Sequence, residues 1–129
     1  MKDPEHGRLM LAMAEKDLKA LKAMTDLDSF SDEIFGFHAQ QAVEKALKAW
    51  LSATGIKYPK IHDLEQLVEL LKTNNVAMPV AFADLADLTD YSVIFRYEMI
   101  EKMQDPLDRK STIEKVEALH QHVRALLPP

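Results

Sequence analysis

Helix-breaking residues are sparse in this chain, and they leave long segments that have the period of an α-helix. Only three glycines and six prolines occur in 129 residues. Between them, apolar side chains recur every three or four positions, which is the spacing of one buried helix face. No alternating pattern is long enough to predict a β-strand. The sequence therefore predicts an all-α fold, an up-and-down helical bundle of four to five helices.

The breaks between these segments predict where five helices start and stop. The first helix should run from about Pro4 to about Met24, and the second should end just before Gly55. The fourth should be long and reach towards Pro106, or bend near Ser92. The expected starts are Pro4, Ser31 or Asp32, Asp63 with Gln66 as a capping box, Pro79, and Asp108 or Ser111. Short connections between such segments favour antiparallel neighbours.

The second segment has the widest apolar face of the five. Its apolar positions are Phe35, Ala39, Ala42, Val43, Ala46, Leu47, Trp50 and Leu51. The other segments have narrower stripes: Leu11, Ala14, Leu18 and Leu21; Leu64, Leu67, Val68 and Leu71; Phe82, Leu85, Leu88 and Tyr91; and Ile113, Val116, Leu119 and Val123. A helix with so wide an apolar face is buried on more than one side. The second helix is therefore predicted to lie at the centre of the bundle.

Composition limits the class of protein. With 47% hydrophobic residues, a chain of this length can bury one core and not two, so residues 1–129 are expected to form one domain. No cysteine is present, which excludes disulfides and thiolate metal sites. The five histidines show no ligand spacing with carboxylates, so neither a metal nor a cofactor is expected. The sequence has no signal peptide or membrane-length apolar run, which predicts a soluble cytoplasmic protein.

Polar side chains form a stripe along one side of the second helix. They are His38, Gln41, Lys45, Lys48 and Ser52, flanked by Gln40 and Glu44. One interpretation is that the stripe forms the wall of a cleft, in which its amide and ammonium groups bind a phosphate or a base. The other is a solvated face with an ordinary ion pair between Glu44 and Lys48. The net charge of −5 argues against a broad nucleic-acid-binding surface and leaves room for a local basic cleft.

Three segments, in order along the chain, resemble a known family. Residues 37–50 read FHAQQAVEKALKAW, with an aromatic residue, a Gln-Gln pair and then Glu-Lys-Ala-Leu-Lys. A connector from Gly55 to Pro59 follows, then His62-Asp63-Leu64 with Leu67, and finally Tyr91 with Arg96-Tyr97. These segments resemble the second helix, the start of the third helix and the fourth-helix motif of HEPN domains.

The resemblance to HEPN domains implies the same helical architecture and a role in binding nucleotides or RNA. It also implies a homodimer, and often a small nucleotidyltransferase as partner in a toxin–antitoxin system. The residues expected to form the nucleotide-binding or partner groove are His38, Gln41, Lys45, Lys48, Arg96 and Tyr97. Arg96 stands out because a guanidinium group suits phosphate or carboxylate recognition. The alternative for Arg96 is a structural ion pair with Asp87, Asp90 or Glu98.

The chain departs from the HEPN proteins that cut RNA. Many of those carry an arginine followed after four to six residues by a histidine, whereas Glu101, Lys102 and Met103 follow Arg96 at those spacings. Without a group that exchanges a proton near neutral pH, no catalytic residue is assigned and an enzyme is not expected. Two alternatives stay open: a metal-independent ribonuclease with a non-standard residue set, using His38 or His62, and a purely structural dimerisation module.

Overall fold

The fold is described by a computed structural model for residues 2–92 and 107–128. Within these ranges it consists of α-helices and one 3-10 segment, with no strand. The elements are α1 Pro4–Ala23, α2 Asp32–Thr54, α3 Leu64–Thr73, α4 Val80–Ala83, the 3-10 segment Asp84–Ser92, and α5 Arg109–Ala125. The predicted all-α fold is confirmed.

Local capping explains where the long helices begin and end. The Ser31 hydroxyl accepts a hydrogen bond from the Ile34 amide at 3.3 Å and starts α2. Gly55 ends this helix in the left-handed conformation, with a φ of 79°. Asp108 starts α5 by accepting from the Ser111 amide at 3.0 Å. These boundaries agree with the predicted ones because capping depends on residues that are neighbours in sequence.

The capping box predicted at the start of α3 forms only in part. The Asp63 carboxylate caps the Glu65 amide at 2.9 Å, as an N-cap residue should. Gln66 does not reach back to the Asp63 backbone, and its side-chain amide donates instead to the Asp63 carboxylate at 3.4 Å. The Leu64 amide donates to the Thr89 hydroxyl at 3.0 Å, so a distant residue completes the cap.

The fourth helix differs from the prediction of one long helix. A single α-helical turn, α4, continues directly into the 3-10 segment, and residues 93–106 lie outside the described ranges. The buried side chains here are Phe82, Leu85, Leu88 and Tyr91, each three positions after the last. A strict spacing of three suits the 3-10 helix, with its three residues per turn, better than an α-helix. The constant spacing of three is the sequence signal of this 3-10 segment, and it differs from the mixed spacing of three and four that an α-helix shows.

The core is built around α2, as predicted. This helix packs against α1, α3, α5 and the 3-10 segment, and all eight of its predicted apolar positions are buried. The Trp50 ring is only 2% exposed and contacts Phe82 at 6.3 Å and His122 at 4.7 Å between ring centroids. The central position of α2 explains why its polar side chains are also largely enclosed.

Contacts between helix ends fix the directions of the long helices. The Asp3 amide, just before α1, donates to the Ser52 carbonyl near the end of α2, so these two helices are antiparallel. Arg8 near the start of α1 reaches Pro128 after α5, which makes α1 and α5 antiparallel as well. The arrangement agrees with the predicted up-and-down bundle.

Candidate functional site

The polar stripe on α2 divides into two ion-paired clusters. The first, the Asp17 cluster, consists of Asp17 from α1 with His38 and Lys45 from α2. One carboxylate oxygen of Asp17 lies 3.1 Å from His38 Nδ1, and the other accepts from Lys45 Nζ at 2.7 Å. The Lys45 and Asp17 side chains are 20% and 13% exposed. The ammonium group of Lys45 is therefore neutralised within the fold and partly shielded from solvent.

The second group, the Glu44 cluster, consists of Gln40, Gln41, Glu44 and Lys48 from α2 with His62 from the connector before α3. Glu44 is only 5% exposed. Its Oε1 accepts from Gln40 Nε2 at 2.9 Å, and its Oε2 accepts from Lys48 Nζ at 2.9 Å. The same Oε2 lies 3.1 Å from His62 Nδ1. Glu44 is thus paired with the buried side chains of Gln40 and Lys48 and with the more exposed ring of His62, in a setting where an unpaired charge would be costly.

The two consecutive glutamines have separate roles in this cluster. Gln40 is fully buried, and its amide nitrogen donates to the His62 carbonyl at 3.2 Å as well as to Glu44. Its oxygen accepts from Gln41 Nε2 at 2.7 Å. Gln40 therefore attaches the connector to α2, and Gln41 lies at the half-buried edge of the cluster. The pair is explained by one buried amide and a second amide that completes its hydrogen bonding.

Aromatic and imidazole groups extend the Glu44 cluster towards the start of α1. Lys48 Nζ lies 5.9 Å from the centroid of the Tyr58 ring. The Tyr58 hydroxyl lies 2.9 Å from His6 Nε2 and also hydrogen-bonds to the Ser52 side chain. Burial raises the pKa of Tyr58, so this phenol is neutral and keeps its proton for the hydrogen bonds within the row. A continuous polar row results, with His62 at one end and His6 at the other.

The pKa of Glu44 reflects a balance between burial and hydrogen bonding. Burial acts to raise this pKa, but hydrogen bonds from Gln40, Lys48 and His62, together with the charge of Lys48, lower it below its usual value. Because the folded pKa lies below the unfolded one, ionised Glu44 stabilises the fold at neutral pH. This contribution is lost as the pH falls below the ordinary glutamate range, about 4.3.

Replacing Glu44 with glutamine should lower the free energy of unfolding at pH 7 by about 1–2 kcal/mol, because Lys48 loses its charged partner. The difference from the unmodified protein should shrink as the pH falls below the ordinary glutamate pKa, about 4.3, because protonation removes the charge of Glu44. Urea unfolding at several pH values measures both effects. Glu114→Gln is the matched control, since Glu114 is exposed on α5. A pH-independent difference for Glu44→Gln would contradict the assigned ionisation.

Two of the six predicted groove residues, Arg96 and Tyr97, lie outside the described residues. The other four lie on α2 as expected, with Lys45 in the Asp17 cluster beside His38, and Lys48 in the Glu44 cluster beside Gln41. Neither lysine is free: each ammonium group is within 3 Å of a carboxylate. The stripe, together with Tyr58 and His62 of the connector, therefore offers amide, imidazole and phenol groups rather than unpaired positive charge.

Sequence reasoning missed three residues of this region: His6, Asp17 and Tyr58. Asp17 lies on α1, 28 residues before its partner Lys45, and Tyr58 lies in the connector after Gly55. Helical periodicity places Asp17 opposite the solvent-facing lysines of α1, which is a signal that it faces a neighbour. No local pattern in the sequence identifies His6 or Tyr58 as part of the row.

Residues 2–92 and 107–128 contain neither a cluster of metal-ligating side chains nor a membrane-spanning helix. In these ranges no three histidine, aspartate or glutamate side chains come together as a metal site would require. No helix in the same ranges is both long and apolar enough to cross a membrane.

Comparison with known proteins gives one family match. The model of the HEPN domain matches residues 8–126, which is nearly the whole chain. Comparison with curated proteins gives no significant match, and neither does comparison with solved structures.

Proposed function

Because the chain belongs to the HEPN family, we propose that it is a module that binds a nucleotide or an RNA end. We further propose that the contact surface is the polar row that runs from His62 across α2 to His6. The observation that carries this is the hydrogen-bonded Glu44 cluster, whose buried carboxylate lies 2.9 Å from Lys48 Nζ and 3.1 Å from His62 Nδ1. Groups held in place in advance lose little conformational entropy when a ligand binds.

The neutralised lysines suggest how a nucleotide would be recognised. Amide, imidazole and phenol groups, such as those of Gln41, His62 and Tyr58, suit the polar edges and faces of a base or ribose. A phosphate needs an unpaired cation, which neither Lys45 nor Lys48 supplies. Arg96 is the residue that the sequence offers for that contact, with Tyr97 beside it as the expected aromatic neighbour.

A protein partner is the second part of this proposal. Ile34, which is 49% exposed, lies one turn before His38 on α2, and Met13, which is 39% exposed, lies one turn before Asp17 on α1. Apolar side chains beside a half-buried ion pair suit a protein interface better than open solvent. We propose a homodimer of this single cytoplasmic domain, with a small nucleotidyltransferase as partner, as in toxin–antitoxin pairs. A nucleotidyltransferase gene adjacent to this one would support the pairing.

Thermal unfolding with a panel of nucleotides and short RNAs should identify the ligand. A ligand at a concentration about one hundred times its dissociation constant raises the free energy of unfolding by about 2.7 kcal/mol. The midpoint of thermal unfolding should then rise by roughly 5–10 °C. We expect this shift to disappear in Arg96→Ala and to fall in Gln41→Ala, because each removes a direct contact. Gln66→Ala is the matched control for Gln41→Ala, since Gln66 is exposed on α3.

The outcomes separate the two parts of the proposal. A shift for one nucleotide that survives Gln66→Ala and fails in Arg96→Ala would support the nucleotide-binding surface. If no ligand in the panel shifts a cooperative transition, the nucleotide-binding proposal is wrong. Sedimentation or scattering mass then tests the homodimer, and co-purification with the product of an adjacent nucleotidyltransferase gene tests the protein partner.

A metal-independent ribonuclease is the second candidate, and one observation favours it. His62 Nδ1 faces the buried carboxylate of Glu44 at 3.1 Å, while the His62 side chain is 63% exposed. A carboxylate that orients an imidazole is the arrangement of a general base. In this mechanism His62 takes the proton of a ribose 2′-hydroxyl, the 2′-oxygen attacks phosphorus, and the 5′-oxygen leaves with a proton from solvent. RNA cleavage that survives metal chelation and is lost in His62→Ala would replace the binding proposal.

A further inference from the structure

A second groove lies between α1 and α5, away from the polar row on α2. It has a cavity volume of about 530 Å³. The α1 residues that line it include Arg8, Ala12 and Glu15, which point to one side of the helix, whereas Asp17 points to the other. On α5 the lining includes His120 and Arg124, one helical turn apart. The groove is therefore separate from both clusters on α2.

His120 is the most unusual group in this groove. The residue is only 6% exposed, and among the described residues its Nε2 atom has no hydrogen-bond partner. The ring also hydrogen-bonds to the backbone of Leu11, which fixes its orientation. Buried polar atoms are nearly always paired, so the unpaired ring nitrogen of a residue that lines the cavity is a candidate contact for a ligand.

Along the groove and the smaller cavity beside it, cationic side chains outnumber carboxylates. Arg124 forms no ion pair with the described residues, and Arg8 donates to the Pro128 carbonyl at 3.2 Å through only one of its nitrogen atoms. A smaller cavity continues the groove along α1 and brings Lys19 and Lys22 close, although Lys22 pairs with Glu117. The carboxylates of Glu15 and Glu117 face four cationic side chains. A local positive excess in a chain with a net charge of −5 favours an anionic ligand.

We propose that this groove binds a small phosphate monoester. The guanidinium groups of Arg124 and Arg8 would hold the phosphate oxygens, which is their preferred geometry. His120 Nε2 would pair with the phosphate hydroxyl or, when protonated, donate to a phosphate oxygen. The apolar part of the lining, which would contact the organic portion of the ligand, consists of Leu11, Ala12, Ala125 and Leu127. The proposed function assigns no role to any of these residues.

Binding of inorganic phosphate and of ribose 5-phosphate, each at constant ionic strength in chloride, tests this site. Calorimetry or amide NMR shifts should show saturable binding, with the largest changes on α1 and α5. Arg124→Gln should weaken binding about tenfold or more, the effect of one lost charge-assisted hydrogen bond. Lys110→Gln is the matched control, because it removes the same charge from an exposed site on α5 that does not line the groove.

The NMR signals of the His120 ring provide an independent test of phosphate binding. Burial lowers the pKa of His120, while Glu15, Glu117 and Arg124 contribute opposing electrostatic effects. A phosphate at Nε2 would stabilise the imidazolium, so adding phosphate should raise the His120 pKa in an NMR titration. Arg124→Gln should abolish this change, and Lys110→Gln should leave it intact.

The results distinguish specific phosphate binding in the groove from non-specific electrostatic attraction to the protein surface. Stronger binding of ribose 5-phosphate than of inorganic phosphate would support a phosphate monoester, and equal binding would contradict the monoester and identify free phosphate as the ligand. If Arg124→Gln and Lys110→Gln weaken binding equally, or if neither probe binds, the proposal is wrong. The Gln41→Ala variant should bind both probes normally, which separates this groove from the nucleotide surface on α2.

Discussion

Replacing Arg109 with alanine should lower the free energy of unfolding by about 3 kcal/mol, because one buried side chain holds the α1–α2 connection against the start of α5. Arg109 is only 6% exposed. Its Nη1 donates to the Met24 carbonyl at 2.9 Å and to the Asp26 carbonyl at 3.3 Å. Its Nη2 donates to the Phe30 carbonyl at 2.6 Å and to the Asp32 carboxylate at 3.0 Å. Alanine would leave these acceptors without their donor.

The loss should be visible as a fall in the thermal midpoint of roughly 10 °C. Lys110→Ala, the neighbouring exposed cation on α5, is the matched control and should change the midpoint little. Arg109→Lys should recover only part of the loss, because a single ammonium group cannot reach acceptors spread over residues 24–32. A midpoint for Arg109→Ala within about 2 °C of the unmodified protein would show that this network contributes little.

Replacing Gly36 with alanine should destabilise the protein by about 2–3 kcal/mol, although the same change in an open helix position would stabilise it by about 1 kcal/mol. A Cβ atom at position 36 would lie 2.3 Å from Cδ1 of Tyr91 and 2.5 Å from Cγ and Cε1. Tyr91 is only 3% exposed, so its ring has little room to move. Thermal or urea unfolding measures the change.

A double-mutant cycle shows whether the Tyr91 ring causes this effect. Tyr91→Ala alone should destabilise the protein, since it removes a buried aromatic ring. In the Tyr91→Ala background, Gly36→Ala should become neutral or stabilising, because the clash is gone and the helix propensity of alanine remains. If Gly36→Ala destabilises both backgrounds equally, the close approach of the ring is not the cause. The cycle therefore tests the packing of the 3-10 segment on α2.

Arg109 and Gly36 also illustrate what a sequence pattern leaves out. Both lie within predicted helices, and neither was singled out for its structural role. The partners of Arg109 lie 77–85 residues away, and the partner of Gly36 lies on the 3-10 segment. Contacts over such separations depend on how helices pack, which a periodicity of three to four residues does not specify.

The sequence predicts which polar side chains share one side of α2, and it does not predict what they contact. The stripe on α2 follows from helix geometry, so its members could be identified from spacing alone. Whether those side chains face solvent, a groove or one another depends on neighbours in α1 and in the connector before α3. Asp17 and His62 turn the predicted open stripe into two paired clusters. Two further residues of the prediction, Arg96 and Tyr97, lie outside the described residues and stay predictions.

The sequence by itself determined the all-α class, the boundaries of the long helices, the central position of α2 and the resemblance to HEPN domains. These properties depend on side-chain periodicity, on caps and on strings of adjacent residues, all of which are local in the chain. Only the tertiary structure decided which polar groups are buried and paired, because an interaction such as Glu44 with His62 or Arg109 with Met24 exists only after distant segments pack. The unpaired Nε2 of His120 likewise became recognisable only once α5 was placed against α1.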